Sequence, residues 1–319
     1  MSDVLVVGPV FAPRLWGGHT LREWFGDAVP PETIGEAWVV SGMPDVSGPV
    51  VAGPGAGGTL ADAWRDGMVT GEPRTDDFPI LCKILDPADW LSVQVHPDDD
   101  QARRLEGEPR GKAECWYVLA AEPGAELIMG HRAADGDALR ADLRAGRLMD
   151  QLIRTPVEAG SFFMVPAGCV HAVGPGMLVY EVQQSSDITY RLYDFDRVGA
   201  DGRPRDLHVD RGFEVVAPYD PTASITAGEP YRVPGGTRRD LVANDFFAVT
   251  HWSVDGTVDL TATDYRVVTV VAGHGRLVDP SGETVVGRGS SIVIPRGRTA
   301  QMTGDVDFLT TDPGATLPG

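Results

Sequence analysis

Positive charge is what this chain has least of. Its 27 basic residues stand against 46 acidic ones, a formal balance of −19. That balance argues against nucleic acid and anionic membrane surfaces as partners, because both are gripped through basic patches. An anionic small molecule remains compatible, since charges more than about 8 Å apart are largely screened at physiological salt and a local cation cluster outweighs the global sign. Cysteine is nearly absent too: Cys82, Cys115 and Cys169 are an odd number without a CxxC spacing. No disulfide framework is expected, and a reducing cytoplasm is. Long apolar runs are missing, so no membrane helix is expected. The first residues carry no basic flank, and Gly8, Pro9 and Pro13 break their apolar run, which argues against a secretion signal. Lysine is the scarcest cation. Lys83 and Lys112 are the only two, in a chain that otherwise uses arginine.

Both lysines fall in the stretch from Leu81 to Trp116, whose ends read LCKILDPADWLSVQVHPDD and GKAECWYVL. Alternate side chains of a strand share a face. Ser92, Gln94 and His96 therefore project together, opposite Leu91, Val93 and Val95. The same count sets Lys112, Glu114 and Trp116 on one face. From Leu178 to Tyr193 alternation returns, placing Glu181 with Gln183 and Thr189 with Arg191 and Tyr193. A further segment reads Gly160, five residues, Pro166, one, Gly168, two, His171.

That spacing resembles the second motif of cupins, small antiparallel barrels in which the His after the turn binds a metal. Gln94-x-His96 followed by Glu114 resembles the variant found in type I mannose-6-phosphate isomerases. KILD, LSVQVHPDD, GKAECWYV, FFMVPAGCVHAVG and LVYEVQQSSDITYRLYDFDR are similar to that family's short bacterial branch, over roughly residues 14 to 220. The resemblance implies a cupin-type barrel (a mainly β jelly roll with helical insertions) and a metal held by Gln94, His96, Glu114 and His171. It implies a zinc ion and interconversion of mannose 6-phosphate and fructose 6-phosphate through a cis-enediol; one ion per chain is expected, because the later repeat has Ala300 where His171 stands and no His-x-His or Gln-x-His precedes it. Arg191 is then the active-site arginine and Glu181 an acidic pocket neighbour, with Lys112 or Glu181 to carry or orient the proton; which of the two is the base stays open. Ser92 and Lys83 are expected to contact the sugar phosphate. Two His and one carboxylate also describe non-haem iron sites, so an iron oxygenase stays open. A sugar-phosphate-binding cupin without turnover stays open as well. A Glu181–Arg191 ion pair that only joins two strands is the plain alternative for those two residues. Lys112 beside a dication is expected to have a lowered pKa. His131 and His208 lie in polar loop-like context and are expected outside the site.

Thr59 is expected to cap a short helix carrying Leu60, Ala63 and Trp64 on one face. Two insertions, about 97–113 and 135–155, are expected to be helical. In the second, Leu139, Leu143, Leu148, Leu152 and Ile153 keep helical spacing, divided by Gly146. Loop-rich sequence from 199 to 236 places a junction between a catalytic domain, 1–225, and an all-β domain, 226–319. Within the latter, Gly289, five residues, Pro295, one, Gly297, two, Ala300 repeats the earlier spacing with alanine at the ligand position. The second unit is expected to be a metal-free copy, with His251 and His274 structural or exposed.

Overall fold

A computed structural model describes residues 3–199, 202–219 and 227–314. Its architecture is mainly β. Six antiparallel strands in the order Phe162–Val165, Glu114–Ala121, Met177–Gln184, Ile80–Leu85, Ile34–Val40 and Val10–Gly18 form one sheet. Five more, ordered Leu152–Pro156, Glu126–His131, His171–Val173, Val93–Val95 and Tyr190–Tyr193, form a second. The two close on a shared core in which Leu85, Trp116, Val118 and Val179 of the first meet Leu127, Met129 and Val173 of the second. The larger sheet is covered on its outer face as well. There Cys82, Tyr180 and Val182 pack with Tyr265, Val267 and Leu309. Burial on both faces explains why Met177–Gln184 is buried along its whole length.

The third sheet has ten strands. Most come from residues beyond 230, and Gln301–Pro313 and Arg266–Asp279 lie at its centre. It curls around Val268, Val270, Leu277, Met302 and Phe308. Two of its strands belong to the beginning of the chain. Leu5–Val7 pairs with Ser291–Ile294 on one side and with Val50–Ala52 on the other. The expected boundary at 225/226 falls within residues 220–226, outside the described residues.

The Gly-Pro-Gly repeat is repeated in space. Gly160 and Gly168 have φ of 86° and 83°, and Gly289 and Gly297 have φ of 88° and 70°. These are left-handed values that glycine adopts without steric cost. Gly160 N–H donates to Val118 O and Gly289 N–H to Val270 O, each at 2.8 Å. Gly168 N–H donates to His96 O and Gly297 N–H to Ala262 O, each at 2.9 Å. One turn has been built twice.

Helices are few. Thr59 caps Leu60–Arg65 through a reciprocal box with Asp62, and Asp98 caps Asp99–Glu106 through one with Gln101. Gly136–Arg144 begins at Asp135 and ends before Gly146, as its sequence predicts. The second expected helix of that insertion is only Leu148–Gln151. Leu152 and Ile153, placed in it by their spacing, instead begin the strand Leu152–Pro156, because Leu152 pairs with His131 and Arg154 with Ile128. Backbone pairing outweighs the helical period there. No helix among the described residues is long and apolar enough to cross a membrane.

Candidate metal centre and catalytic cleft

Strand phase assembles the predicted donors. His171 is the register partner of Gln94 in the five-stranded sheet, and Glu114 opens its strand in the facing sheet. His96 follows Val93–Val95 directly. His96 Nδ1 lies 2.8 Å from Ile188 O and His171 Nδ1 lies 2.9 Å from Cys169 O. A carbonyl only accepts, so each Nδ1 carries the proton and each Nε2 presents a lone pair. Those lone pairs face Glu114: His171 Nε2 stands 3.3 Å from Oε1 and His96 Nε2 3.7 Å from Oε2. One ligand atom from each of the three residues lies within 4.8 Å of the others. All three side chains are buried, and Glu114 Oε1 has no hydrogen-bond donor. Burial keeps both imidazoles neutral, lowering the pKa of His96 strongly and that of His171 to about 4, with Lys112 acting in the same direction.

Buried acceptors facing one another with an orphaned carboxylate oxygen fit a divalent cation, and the Nδ1 bonds to main-chain carbonyls are the outer contacts that fix metal-bound imidazoles. Gln94 completes the predicted set with a proviso of orientation. Its Nε2 lies 3.2 Å from His171 Nε2, while its Oε1 accepts from Ser92 Oγ at 3.2 Å. Exchange of the two ends of the amide brings the oxygen to the centre. Among the described residues no second group of this kind occurs. His251 stacks on Tyr117 at 5.1 Å, and His274 is exposed.

A cleft of about 390 Å³ opens beside the trio, lined by Ser92, Gln94, Lys112, Lys83, Glu181 and Arg191. Every predicted substrate-side residue is therefore on its wall. Lys112 Nζ lies 2.8 Å from Glu114 Oε2 and 3.2 Å from His96 Nε2. Burial by itself would lower the Lys112 pKa, but Glu114 and Glu181 override it and raise the value. The protein's own groups taken together therefore shift Lys112 upward, and the expected lowering would have to come from a bound dication. Glu181 is raised by burial and by Glu114, against Lys112 and Lys83.

Glu181 does not pair with Arg191. It accepts from Trp116 Nε1 at 2.9 Å and stands 3.5 Å from Lys83 Nζ. Lys83 is its register partner on the neighbouring strand. Arg191 turns the other way, its Nη1 donating to Asp206 O at 3.4 Å. Lys83 lies 3.9 Å from Glu36 and 4.6 Å from the centroid of the Trp38 ring. Glu36 is gripped by Arg14 through two bonds of 2.9 and 3.0 Å. A chain of alternating charge, Arg14–Glu36–Lys83–Glu181, thus runs along the wall.

Arg14, Glu36, Asp187 and Arg205 line the cleft without having been singled out from sequence. Arg205 Nε is held by Asp194 at 2.7 Å. Glu36 and Trp38 lie in the run IGEAW, residues 34–38, and nothing local in the sequence connects that run to Lys83. His131 ends its strand half-buried, with both ring nitrogens lacking a side-chain partner. His208, expected in loop-like context outside the site, does not join the donor trio; its Nδ1 accepts the main-chain N–H of Arg191.

Residues 5–129 match the family model for phosphomannose isomerase type I, catalytic domain, and residues 237–308 that for mannose-6-phosphate isomerase, cupin domain. The chain is 38% identical over 312 residues to mannose-6-phosphate isomerase of Streptococcus mutans, covering 97% of this chain and 98% of that one. To the probable mannose-6-phosphate isomerase GmuF of Bacillus subtilis it is 38% identical over 298 residues, 92% and 94% of the two chains. The crystal structure of the mannose 6-phosphate isomerase from Bacillus subtilis superposes with a TM-score of 0.92 at 32% identity, over 98% of this chain and 100% of that one. With the donor trio, the cleft and the duplicated turn already in place, these likenesses establish that the chain belongs to the type I mannose-6-phosphate isomerase family.

Proposed function

We propose that this protein is a zinc-dependent aldose–ketose isomerase that interconverts mannose 6-phosphate and fructose 6-phosphate through a cis-enediol, with one metal ion per chain. The observation that carries the reading is the buried trio His96, Glu114 and His171 at the side of a cleft that also holds Lys112, Glu181 and Arg191. His96, Glu114 and His171, with Gln94 turned oxygen-inward, would hold the ion. When bound, such an ion supplies Lewis acidity toward the substrate oxygens and fixes their place. The chain's residues do the rest.

Moving a proton between C1 and C2 needs a group that takes it from one carbon and returns it to the other. Glu181 suits that role, because burial and its carboxylate neighbour raise its pKa while Lys83 and Trp116 fix its two oxygens. Lys112 carries the partner proton at the substrate oxygens, its ammonium set 2.8 Å from Glu114. Arg191, with no carboxylate in ion-pair contact among the described residues, offers its charge to the enediolate. Phosphate takes the part of the wall where Ser92 sits with the cations Lys83, Arg14 and Arg205, which alternate there with Glu36. A charged sugar phosphate does not cross a membrane unaided, and three free buried cysteines suit a reducing compartment, so we place the reaction in the cytoplasm.

The test is a coupled assay following fructose 6-phosphate from mannose 6-phosphate, with metal analysis, before and after chelation. Turnover that chelator abolishes and zinc restores is the expected outcome. A metal-loaded chain that binds the sugar phosphate without turning it over would be a binding module, and stoichiometric iron with oxygen-dependent turnover would make it an oxygenase.

A further inference from the structure

We propose that His208 is a positioning residue for Arg191, standing in for a neighbouring strand at an open sheet edge. The inference rests on the reading of Arg191 as a cleft residue that acts on substrate. Tyr190–Tyr193 is the last strand of its sheet, paired on one side only, with Val93–Val95. Arg191 is the register partner of Gln94 across that pairing. In an antiparallel ladder a residue's N–H and C=O point to the same side, so a residue that does not bond across the pair presents both to the edge. Unpaired main-chain groups at an edge need partners.

His208 supplies both. Its main-chain N–H donates to Arg191 O at 2.8 Å, and its Nδ1 accepts the Arg191 N–H at 3.3 Å. One residue thus offers a donor and an acceptor, the acceptor being an imidazole nitrogen in the place of a carbonyl. Two residues earlier, Asp206 O receives the Arg191 guanidinium at 3.4 Å. The segment from 206 to 208 therefore holds this arginine by its backbone and by its side chain. His208 lines a separate groove of about 380 Å³ with Glu106, Tyr190 and Arg211, and does not line the cleft. Its action on the reaction is through Arg191 alone.

An acceptor on the first atom beyond Cγ is what the geometry requires. Asparagine places its amide oxygen where Nδ1 stands, whereas glutamine carries its oxygen one bond further out. The experiment compares His208→Ala, His208→Asn and His208→Gln in the full-length, metal-loaded chain by steady-state kinetics, and follows the exchange of the Arg191 amide proton by NMR. Loss of the acceptor in Ala and Gln is expected to reduce kcat by about tenfold with KM within about twofold, and to speed Arg191 amide exchange by about tenfold. Metal content stays as in the parent, and Asn restores both readouts. Unchanged Arg191 exchange in His208→Ala overturns the proposal whatever the kinetics do, as does an Asn variant as impaired as Ala. A parent chain that does not isomerise mannose 6-phosphate overturns the proposed function instead, and the exchange pattern still decides the role of His208.

Discussion

The two barrels share a turn and differ in what they enclose. Hydrogen bonds common to both align Val118 with Val270 and His96 with Ala262, and the register pairs Glu114–Val165 and Arg266–Ile294 occupy corresponding places. By that alignment the four donor positions of the first barrel, Gln94, His96, Glu114 and His171, become Leu260, Ala262, Arg266 and Ala300 in the second. Leu260, Ala262 and Ala300 are buried in an apolar cluster with Met302 and Phe308, and Arg266 pairs with Asp312. The same backbone therefore builds a polar interior in one case and a filled apolar core in the other. A buried carboxylate oxygen that lacks a donor, as Glu114 Oε1 does, costs free energy unless something satisfies it. A cation would satisfy it in the first barrel, whereas the second presents apolar side chains at three of the four corresponding positions.

The comparison breaks if the donor trio is dispensable. Glu114→Ala and His171→Ala are expected to lose metal and turnover together, read by elemental analysis and the coupled assay. Retained zinc in Glu114→Ala would remove that carboxylate from the ligand set. Next in size is Lys112→Arg. A planar, permanently charged guanidinium cannot replace a compact ammonium squeezed between Glu114 and His96. We expect kcat to fall by about a hundredfold while circular dichroism and metal content are preserved. Turnover equal to that of the parent would leave Lys112 as a plain counter-ion.

Support around the first barrel can be tested through Asp194, a buried carboxylate that binds Arg205 and Arg197. Burial raises its pKa, but the two guanidinium groups outweigh this and the net shift is downward. A folded-state value below the unfolded one gives stability that is present above the ordinary aspartate pKa and is lost as pH falls through the lowered value. Asp194→Asn should cost about 3 kcal/mol at pH 7 in urea unfolding. The gap to the parent should close as pH falls below about 4. A gap that persists into acid would mean that packing, not charge, is responsible. The smallest expected effect sharpens the contrast from the other side. Ala300→His restores the motif residue in the copy but brings no partner donors, so metal analysis should still give one ion per chain. The buried imidazole should cost about 1–3 kcal/mol.

Sequence reveals those parts of this site that depend on short-range periodicity. Ser92, Gln94 and His96 had to share a face once their strand was recognised, and Lys112 with Glu114 likewise. The turn was legible twice because glycine at a left-handed position and proline leave a spacing behind. Arg14, Glu36, Arg205 and Asp194 left none. Arg14 meets Glu36 across 22 residues, and Glu36 meets Lys83 only because Trp38 and Lys83 become register partners. Leu152 departs from its helical spacing for a related reason: the spacing is genuine, but a partner strand more than 20 residues earlier decides its conformation. Pairings of that range are set by the whole fold.

The strand Leu5–Val7 shows how far such pairings reach. Its partner Ser291–Ile294 leaves the ribosome nearly three hundred residues later, with Leu5 set against Val293. Throughout synthesis the earliest strand carries an edge that nothing yet made can cover. Its closure is among the most distant contacts a chain of this length can form, and contacts of that kind are slow to form. A ribosome stalled after residue 225 would therefore display every residue of the candidate metal centre and still hold an unfinished protein, its N-terminal edge open to whichever chaperone or neighbouring chain arrives first.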